Sequence, residues 1–139
     1  MPGTRFEGPG FHHVAIRSRN FEESLRFYDE ALGYKRVYGW GEGDKRAALL
    51  DTGDGNYVEL FAGSKCPPGE DLPDGPIFHF AIRVPDTDAA YAKAIAAGAR
   101  SQMEPKTIDI QGDREITVRI AFVRGPDGES IEFFQNQEL

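Results

Sequence analysis

Two histidines and two glutamates recur at matching places in the two halves of the sequence. His13 opens the segment His-Val-Ala-Ile-Arg, and His79 opens the similar segment His-Phe-Ala-Ile-Arg. Glu59 and Glu132 each lie four residues after a glycine, in Gly-Asn-Tyr-Val-Glu-Leu-Phe and Gly-Glu-Ser-Ile-Glu-Phe-Phe. Two neutral imidazoles and two carboxylates balance the charge of one divalent cation, and both are ligand types that such ions accept. The repeat therefore predicts a four-ligand metal site.

Strand periodicity predicts that these four side chains point to the same side of a sheet. Successive residues of a strand alternate between its faces, so His13 shares a face with Ala15 and Arg17. Val14 and Ile16 then point the other way, and the other three strands repeat this opposition of a titratable residue and an apolar face. We expect the apolar faces to pack on helices, and the His and Glu side chains to point into a cup.

The metal-site prediction depends on the set and not on any single residue. A lone His or Glu on a strand is more often a structural or solvated residue than a ligand. Four such residues at equivalent positions favour a metal site. Burying carboxylates that face each other without a counter-charge costs several kcal/mol, and a divalent cation removes that cost. His12 falls outside the set: its parity places it with Val14 and Ile16, so we assign it to packing or to a backbone hydrogen bond.

The elements that must position these residues form two copies of one βαβββ unit. Helices are predicted from about residue 21 to 32, between Asn20 and Gly33, and from about residue 86 or 87 to 97, before Gly98. The predicted strands are 11–17, 34–41, 46–51, 56–62, 77–84, 100–104, 115–124 and 130–135. The predicted fold class is α+β, with two βαβββ modules forming a cupped, mostly antiparallel sheet and helices on its outer face.

The chain length of 139 residues fits a single domain, 1–139. Within it, 11–62 is the first module, 77–135 is the second, and 63–76 is a linker with four prolines and three glycines. The net charge of −7 argues against nucleic acid as a partner, and no apolar run is long enough to span a membrane. The single Cys66 excludes an intrachain disulfide and fits a reducing, cytoplasmic compartment, so small molecules are the expected partners.

The repeated segments resemble the glyoxalase/bleomycin-resistance/extradiol-dioxygenase superfamily, also called the vicinal oxygen chelate proteins. The resemblance extends from about residue 11 to 135, and includes Phe-Tyr-Asp-Glu-Ala-Leu-Gly-Tyr at 27–34 and Gly-Pro-Asp-Gly at 125–128. It implies one divalent metal ion per site. The metal ligands that it implies are His13, Glu59, His79 and Glu132.

The His-Glu-His-Glu order is most similar to bacterial glyoxalase I. This resemblance implies a metal-dependent lyase or isomerase that transfers a proton through an enediolate of a small carbonyl substrate, with Glu132 as the base and Glu59 as its counterpart. The N₂O₂ donor set suits Ni²⁺, Co²⁺, Mn²⁺ or Zn²⁺. Two alternatives stay open: an Fe²⁺ ring-cleavage dioxygenase, which needs no carboxylate at position 59, and a metal-free small-molecule binding protein of the drug-resistance type.

The substrate-binding residues are predicted partly from this resemblance. Arg17 matches a position with which glyoxalase I holds a glutathione carboxylate, but Gly63 stands where that enzyme has an asparagine. Arg17 and Arg83 either bind substrate or form a salt bridge at the rim of the cup. Aromatic residues could build an apolar wall for the substrate. The candidate wall residues are Tyr57, Phe61 and Phe134, with Trp40 and Phe122 as further members.

The expected assembly is a homodimer, because sheets of the superfamily that the chain resembles often pair modules across chains. In such a dimer one site could draw two ligands from each subunit. The fourteen residues of the linker, 63–76, are enough for this arrangement or for a site within one chain.

Overall fold

The structure is a computed structural model that describes residues 10–139, and it contains the two βαβββ modules that the repeat predicts. The first module comprises β1 (His13–Arg17), α1 (Phe21–Leu32), β2 (Lys35–Trp40), β3 (Ala47–Asp51) and β4 (Tyr57–Phe61). The second module comprises β5 (Phe80–Arg83), α2 (Thr87–Ala96), β6 (Arg100–Gln111), β7 (Glu115–Arg124) and β8 (Ser130–Gln135). The predicted α+β class is confirmed.

Helix α1 has the ends that its sequence predicts. The Asn20 side chain accepts a hydrogen bond from the Glu23 backbone N–H at 3.2 Å, which satisfies one of the free donors of the first turn. Gly33 closes the helix in the left-handed conformation, with φ of 71°, and its N–H donates to the Asp29 carbonyl. The apolar side of the helix, including Phe27 and Tyr28, is buried.

The strand order places each histidine strand beside a glutamate strand. The strands form two four-stranded sheets, in the orders β1-β4-β3-β2 and β5-β8-β7-β6. The first and last strands of each module pair in parallel, with Ala15 opposite Glu59 and Ala81 opposite Glu132. The other pairings are antiparallel. Because His13 and His79 lie two residues before these alanines, each histidine side chain is on the same face as the glutamate of its module.

The core lies on the opposite faces of the sheets, as the alternation predicts. Val58 and Leu60 flank Glu59 and are buried, and Ile131 and Phe133 flank Glu132 in the same way. The helices cover these apolar faces, and α1 also packs against α2, so the two modules share one core. No helix within residues 10–139 is long and apolar enough to cross a membrane.

The predicted ends of β5 and β6 differ most from those in the structure. β5 begins at Phe80 and not at residue 77, so His79 lies one residue before the strand, and Ile77 and Phe78 are exposed. The end of β6 predicted at residue 104 is wrong, since β6 continues to Gln111. Its pairing with β7 shifts register on either side of Met103, and this irregularity accommodates Pro105.

Candidate metal centre

The first module pairs His13 with Glu59. Parallel pairing of β1 and β4 places the two side chains on one face, with His13 Nε2 3.4 Å from Glu59 Oε1. The side chain of His13 is 38% exposed and that of Glu59 is 19% exposed. The pair therefore stands on an open surface of the first sheet.

The second module pairs His79 with Glu132 in the equivalent way. His79 Nε2 lies 3.0 Å from Glu132 Oε2, and both side chains are less exposed than their counterparts, at 27% and 11%. The edge of the His79 ring also contacts the Phe122 ring, with centroids 5.3 Å apart. Phe122 is directly opposite Glu132 in the β7–β8 pairing, so it forms part of the same face.

One chain does not bring the two pairs together. Within residues 10–139, no three His, Cys, Asp or Glu side chains are close enough to hold a common metal ion. Each chain therefore presents two half-sites, one on each sheet. The structure pairs the four predicted ligands within modules, and a four-ligand site would need half-sites from two chains or a rearrangement of the modules.

The donor set fits a divalent ion when two half-sites meet. Adjacent ligands of an octahedral ion, each about 2.1 Å from the metal, lie about 3 Å apart. The two N–O separations of 3.4 Å and 3.0 Å are close to that value. Each half-site alone supplies one nitrogen and one carboxylate, which is too few ligands for a closed site.

His12 does not pack where its parity predicts, although it does form a backbone hydrogen bond. It lies before β1 and is exposed, so its ring does not pack on the apolar face with Val14, while its backbone carbonyl accepts from the Tyr57 N–H at 2.7 Å. Its Nδ1 is 2.9 Å from Nδ1 of His13, and its ring lies against Tyr57 with centroids 5.0 Å apart. One of the two Nδ1 atoms must carry the proton of this hydrogen bond, which orients the His13 ring with Nε2 towards Glu59.

The two arginines are held by backbone carbonyls. Arg17 donates to the Ala62 carbonyl at 3.2 Å, and its guanidinium lies 5.4 Å from the centre of the Phe61 ring. Arg83 donates to the Leu139 carbonyl at 2.8 Å. Neither forms a salt bridge with any residue from 10 to 139. This part of the chain offers no support for the rim salt bridge, and the Arg17 guanidinium keeps free donors.

The predicted wall residues lie on the faces that carry the His–Glu pairs. Tyr57 and Phe61 are half-buried and flank Glu59 on β4, and the Trp40 ring meets the Phe61 ring edge-on at 6.1 Å. Phe134 is half-buried and lies two residues after Glu132 on β8. These aromatic rings make the surroundings of each half-site largely apolar.

A cavity of about 580 Å³ lies between β1, the linker and β5. Its lining is mostly apolar and includes Phe78 and Leu72, with Arg17 and His79 among the polar members. Such a volume is within the range of small-molecule sites. His79 is the only one of the four proposed ligands in its lining.

Sequence reasoning missed a group of buried polar residues that joins the modules. Glu129 accepts hydrogen bonds from the Tyr28 hydroxyl at 2.8 Å and from the Asp127 backbone N–H at 2.9 Å. Asp127 accepts from the Ser24 hydroxyl at 2.8 Å and from the Arg19 backbone N–H at 2.7 Å. The turn at 125–128 was recognisable in the sequence, but nothing local indicates which distant residues its carboxylates bind.

Burial changes the acidity of this group. Removal from water, reinforced by the negative charge of Asp127, raises the pKa of the Glu129 carboxyl from 4.5 to about 7. Burial also raises the pKa of Asp127, and it raises the pKa of Tyr28 well above its ordinary value. Near neutral pH, Glu129 is therefore divided between its neutral and ionised forms.

Comparisons with known proteins give a family and a fold. Among curated proteins, the uncharacterized protein YwbC of Bacillus subtilis is 35% identical over 134 residues, which is 88% of this chain and 94% of YwbC. A glyoxalase I mutant from Zea mays superimposes with a TM-score of 0.71 at 24% identity, over 92% of this chain but only 45% of the maize chain. TnmS3, an antibiotic binding protein from Streptomyces sp. CB03234, superimposes with a TM-score of 0.68 at 19% identity, over 96% of this chain and all of TnmS3.

The two structural likenesses show the fold alone, because both sequence identities are below 25%. One of these proteins is a glyoxalase I and the other is an antibiotic binding protein. The family rests on a separate finding. The model of the Glyoxalase/Bleomycin resistance protein/Dioxygenase superfamily matches residues 10–133, a range that includes both His–Glu pairs. This chain belongs to the glyoxalase/bleomycin resistance protein/dioxygenase superfamily.

Proposed function

We propose that this protein is a divalent-metal-dependent lyase or isomerase of the glyoxalase I type that acts on a small carbonyl substrate. The observation that carries the proposal is the pair of His–Glu half-sites at equivalent positions of the repeat, His13 with Glu59 and His79 with Glu132. A dioxygenase triad would leave Glu59 without a role, whereas here it is paired like Glu132.

The proposed site is shared between two copies of the chain. In a twofold dimer, contacts are reciprocal, so the first module of each chain can face the second module of its partner and complete two sites. Exposed apolar side chains beside the linker and β5 support such an interface, since Ile77 is 85% exposed and Phe78 is 56% exposed. The homodimer is thus part of the proposal.

The residues of the proposed site would have separate roles in metal binding, proton transfer and the exclusion of water. His13, Glu59, His79 and Glu132 would hold the divalent ion, which would supply Lewis acidity to the substrate carbonyl. Glu132, which is almost entirely buried, takes the α-proton on a carboxylate oxygen and returns it to the neighbouring carbon. Glu59 is its counterpart on the opposite side, and Phe61 and Phe134 exclude water from the reacting atoms.

Metal stoichiometry and activity together test this function. Protein made without a His-tag is loaded with Ni²⁺, Co²⁺, Mn²⁺, Zn²⁺ or Fe²⁺, freed of excess ion and measured by elemental analysis. We expect about one ion per chain, and isomerisation of the hemithioacetal of methylglyoxal and glutathione. His79→Ala should lose the ion, whereas Glu30→Ala, at an exposed residue of α1, serves as the control and should retain it. Absence of any bound ion would refute the proposal.

A metal-free binding protein is the second candidate. The observation in its favour is that each histidine already has a carboxylate partner in its own chain, and that the cavity of about 580 Å³ is mostly apolar. In that case, small apolar ligands would bind equally well with and without a chelator. Oxygen uptake with a catechol after Fe²⁺ loading would instead favour the dioxygenase alternative.

A further inference from the structure

Asp127 and Glu129 form a buried link between the modules that is separate from the His–Glu pairs. Both carboxylates belong to the turn before β8, in the second module, and are 3% and 5% exposed. Their partners Ser24 and Tyr28 lie one helical turn apart on α1, in the first module. Two buried carboxylates in one place are costly, so their retention calls for a physical explanation.

The link joins the two strands whose positions matter most for the candidate site. Asp127 accepts from the Arg19 N–H, two residues beyond the end of β1, the strand that begins with His13. Glu129 immediately precedes β8, which carries Glu132 three residues later. At about 3.3 Å per residue, Glu129 and Glu132 are separated by roughly 10 Å along the strand.

We propose that Asp127 and Glu129 are positioning residues that hold β8 against the first module, and that this arrangement is more stable when Glu129 is neutral than when both buried carboxylates are ionised. The positioning of Glu132 for metal binding rests on the proposed function. The pH-dependent link between the modules does not.

The physical cause is repulsion between two carboxylates that are largely removed from water. When Glu129 ionises, its charge lies beside the Asp127 carboxylate, with Glu23 of α1 as a further acidic neighbour of Asp127.

Other polar groups face the two carboxylates from the neighbouring elements. On the first module, Tyr28 faces Glu129. Arg19 faces Asp127, and its guanidinium donates to the Glu70 carbonyl. From β7, Arg124 donates to the Gly128 carbonyl at 3.0 Å. The Tyr28 hydroxyl is the side-chain donor to Glu129, and it compensates only part of the cost of ionisation.

The direction of the pH effect follows from the acidity of Glu129. Its pKa in the folded protein, about 7, exceeds the ordinary value of 4.5, so the folded state holds the proton more tightly than the unfolded chain. The stabilisation is complete below pH 4.5 and is lost as pH rises through about 7.

Urea unfolding of the full-length metal-free protein at pH 5 and pH 8 tests the link. Between these pH values, the unfolding equilibrium constant of the wild type should rise on the order of 50-fold relative to that of Glu129→Gln, which cannot ionise. Glu30→Gln, the same chemical change at an exposed residue of α1, should follow the wild type. Identical pH dependence in the wild type and Glu129→Gln would overturn the link.

Tyr28→Phe provides a second variant if Glu129→Gln does not fold. The Tyr28 hydroxyl favours the ionised form of Glu129. Its removal should therefore keep Glu129 protonated to higher pH, and the midpoint of the pH dependence of stability should move to higher pH. A midpoint unchanged from that of the wild type would contradict the proposal.

The Co²⁺ absorption spectrum tests the positioning of Glu132. The d–d bands of bound Co²⁺ report ligand geometry, which a role in stability alone would leave unchanged. Between pH 6 and pH 8, the bands should change more in the wild type than in Glu129→Gln, and equal changes would overturn the positioning role. If neither protein binds Co²⁺, the proposed function and the positioning role both fail, while the urea experiment still decides the link.

Discussion

The two half-sites are equivalent in the repeat but differ in their exposure to water. The His79–Glu132 pair has the shorter separation, 3.0 Å against 3.4 Å, and Glu132 is more buried than Glu59. Electrostatic interactions strengthen as water is excluded. The second module therefore offers the better-shielded carboxylate, which supports Glu132 as the base.

Glu132→Gln tests the division between metal binding and proton transfer. The amide keeps an oxygen ligand but cannot take a proton, so kcat should fall by about 10²- to 10⁴-fold with most of the metal retained. His79→Ala should lose the metal itself, and Glu59→Gln, the same change at the equivalent position, should lower kcat less than Glu132→Gln. The measurements are elemental analysis and steady-state kinetics, and equal metal loss in Glu132→Gln and His79→Ala would leave no separate role for Glu132 as base.

The pairing of these residues was predictable because strand parity is a local property. Residue spacing alone placed each histidine on the face of its glutamate, and the structure shows both pairs. The His12 ring was misplaced because β1 begins two residues later than predicted, so strand parity does not apply to it. The partners of Glu129 could not be predicted, since Tyr28 is 101 residues away and is brought close only by the packing of the modules.

At the scale of elements, local signals predicted helices better than strand ends. The α1 helix has the predicted bounds because its cap residues, Asn20 and Gly33, directly precede and follow it in the sequence. β6 is longer than predicted because its outer half is stabilised by cross-strand pairs with β7, such as Ile108 with Val118. Such pairs depend on a partner strand and leave little signal in β6 itself.

The cap of α1 is a point at which this element can be weakened selectively. Asn20→Ala removes the acceptor for the Glu23 N–H and should lower the free energy of unfolding by about 1 kcal/mol. Asn20→Asp keeps a side-chain acceptor and is the control, with a change of only a few tenths of a kcal/mol expected. Urea denaturation measures both variants. An equal loss in the two would show that the cap hydrogen bond does not stabilise α1.

The whole molecule presents two half-sites and one shared core. The packing of α1 on α2 and the buried link from Tyr28 to Glu129 fix how the modules meet, and in that arrangement His13 and His79 belong to separate half-sites. A four-ligand site in this protein therefore depends on the assembly of two chains or on a rearrangement of the modules.

Complementation between two inactive variants tests the shared site directly. If each site takes His13 from one chain and His79 from the other, a dimer of one His13→Ala chain and one His79→Ala chain contains one doubly damaged site and one intact site. Co-refolding equal amounts should then restore activity to about a quarter of the wild-type value, since half of the dimers are mixed and each has one intact site of two. A mixture of either variant with itself is the control and should stay inactive. If the mixed sample also stays inactive although its chains exchange, each site lies within one chain, and the modules must rearrange to form it.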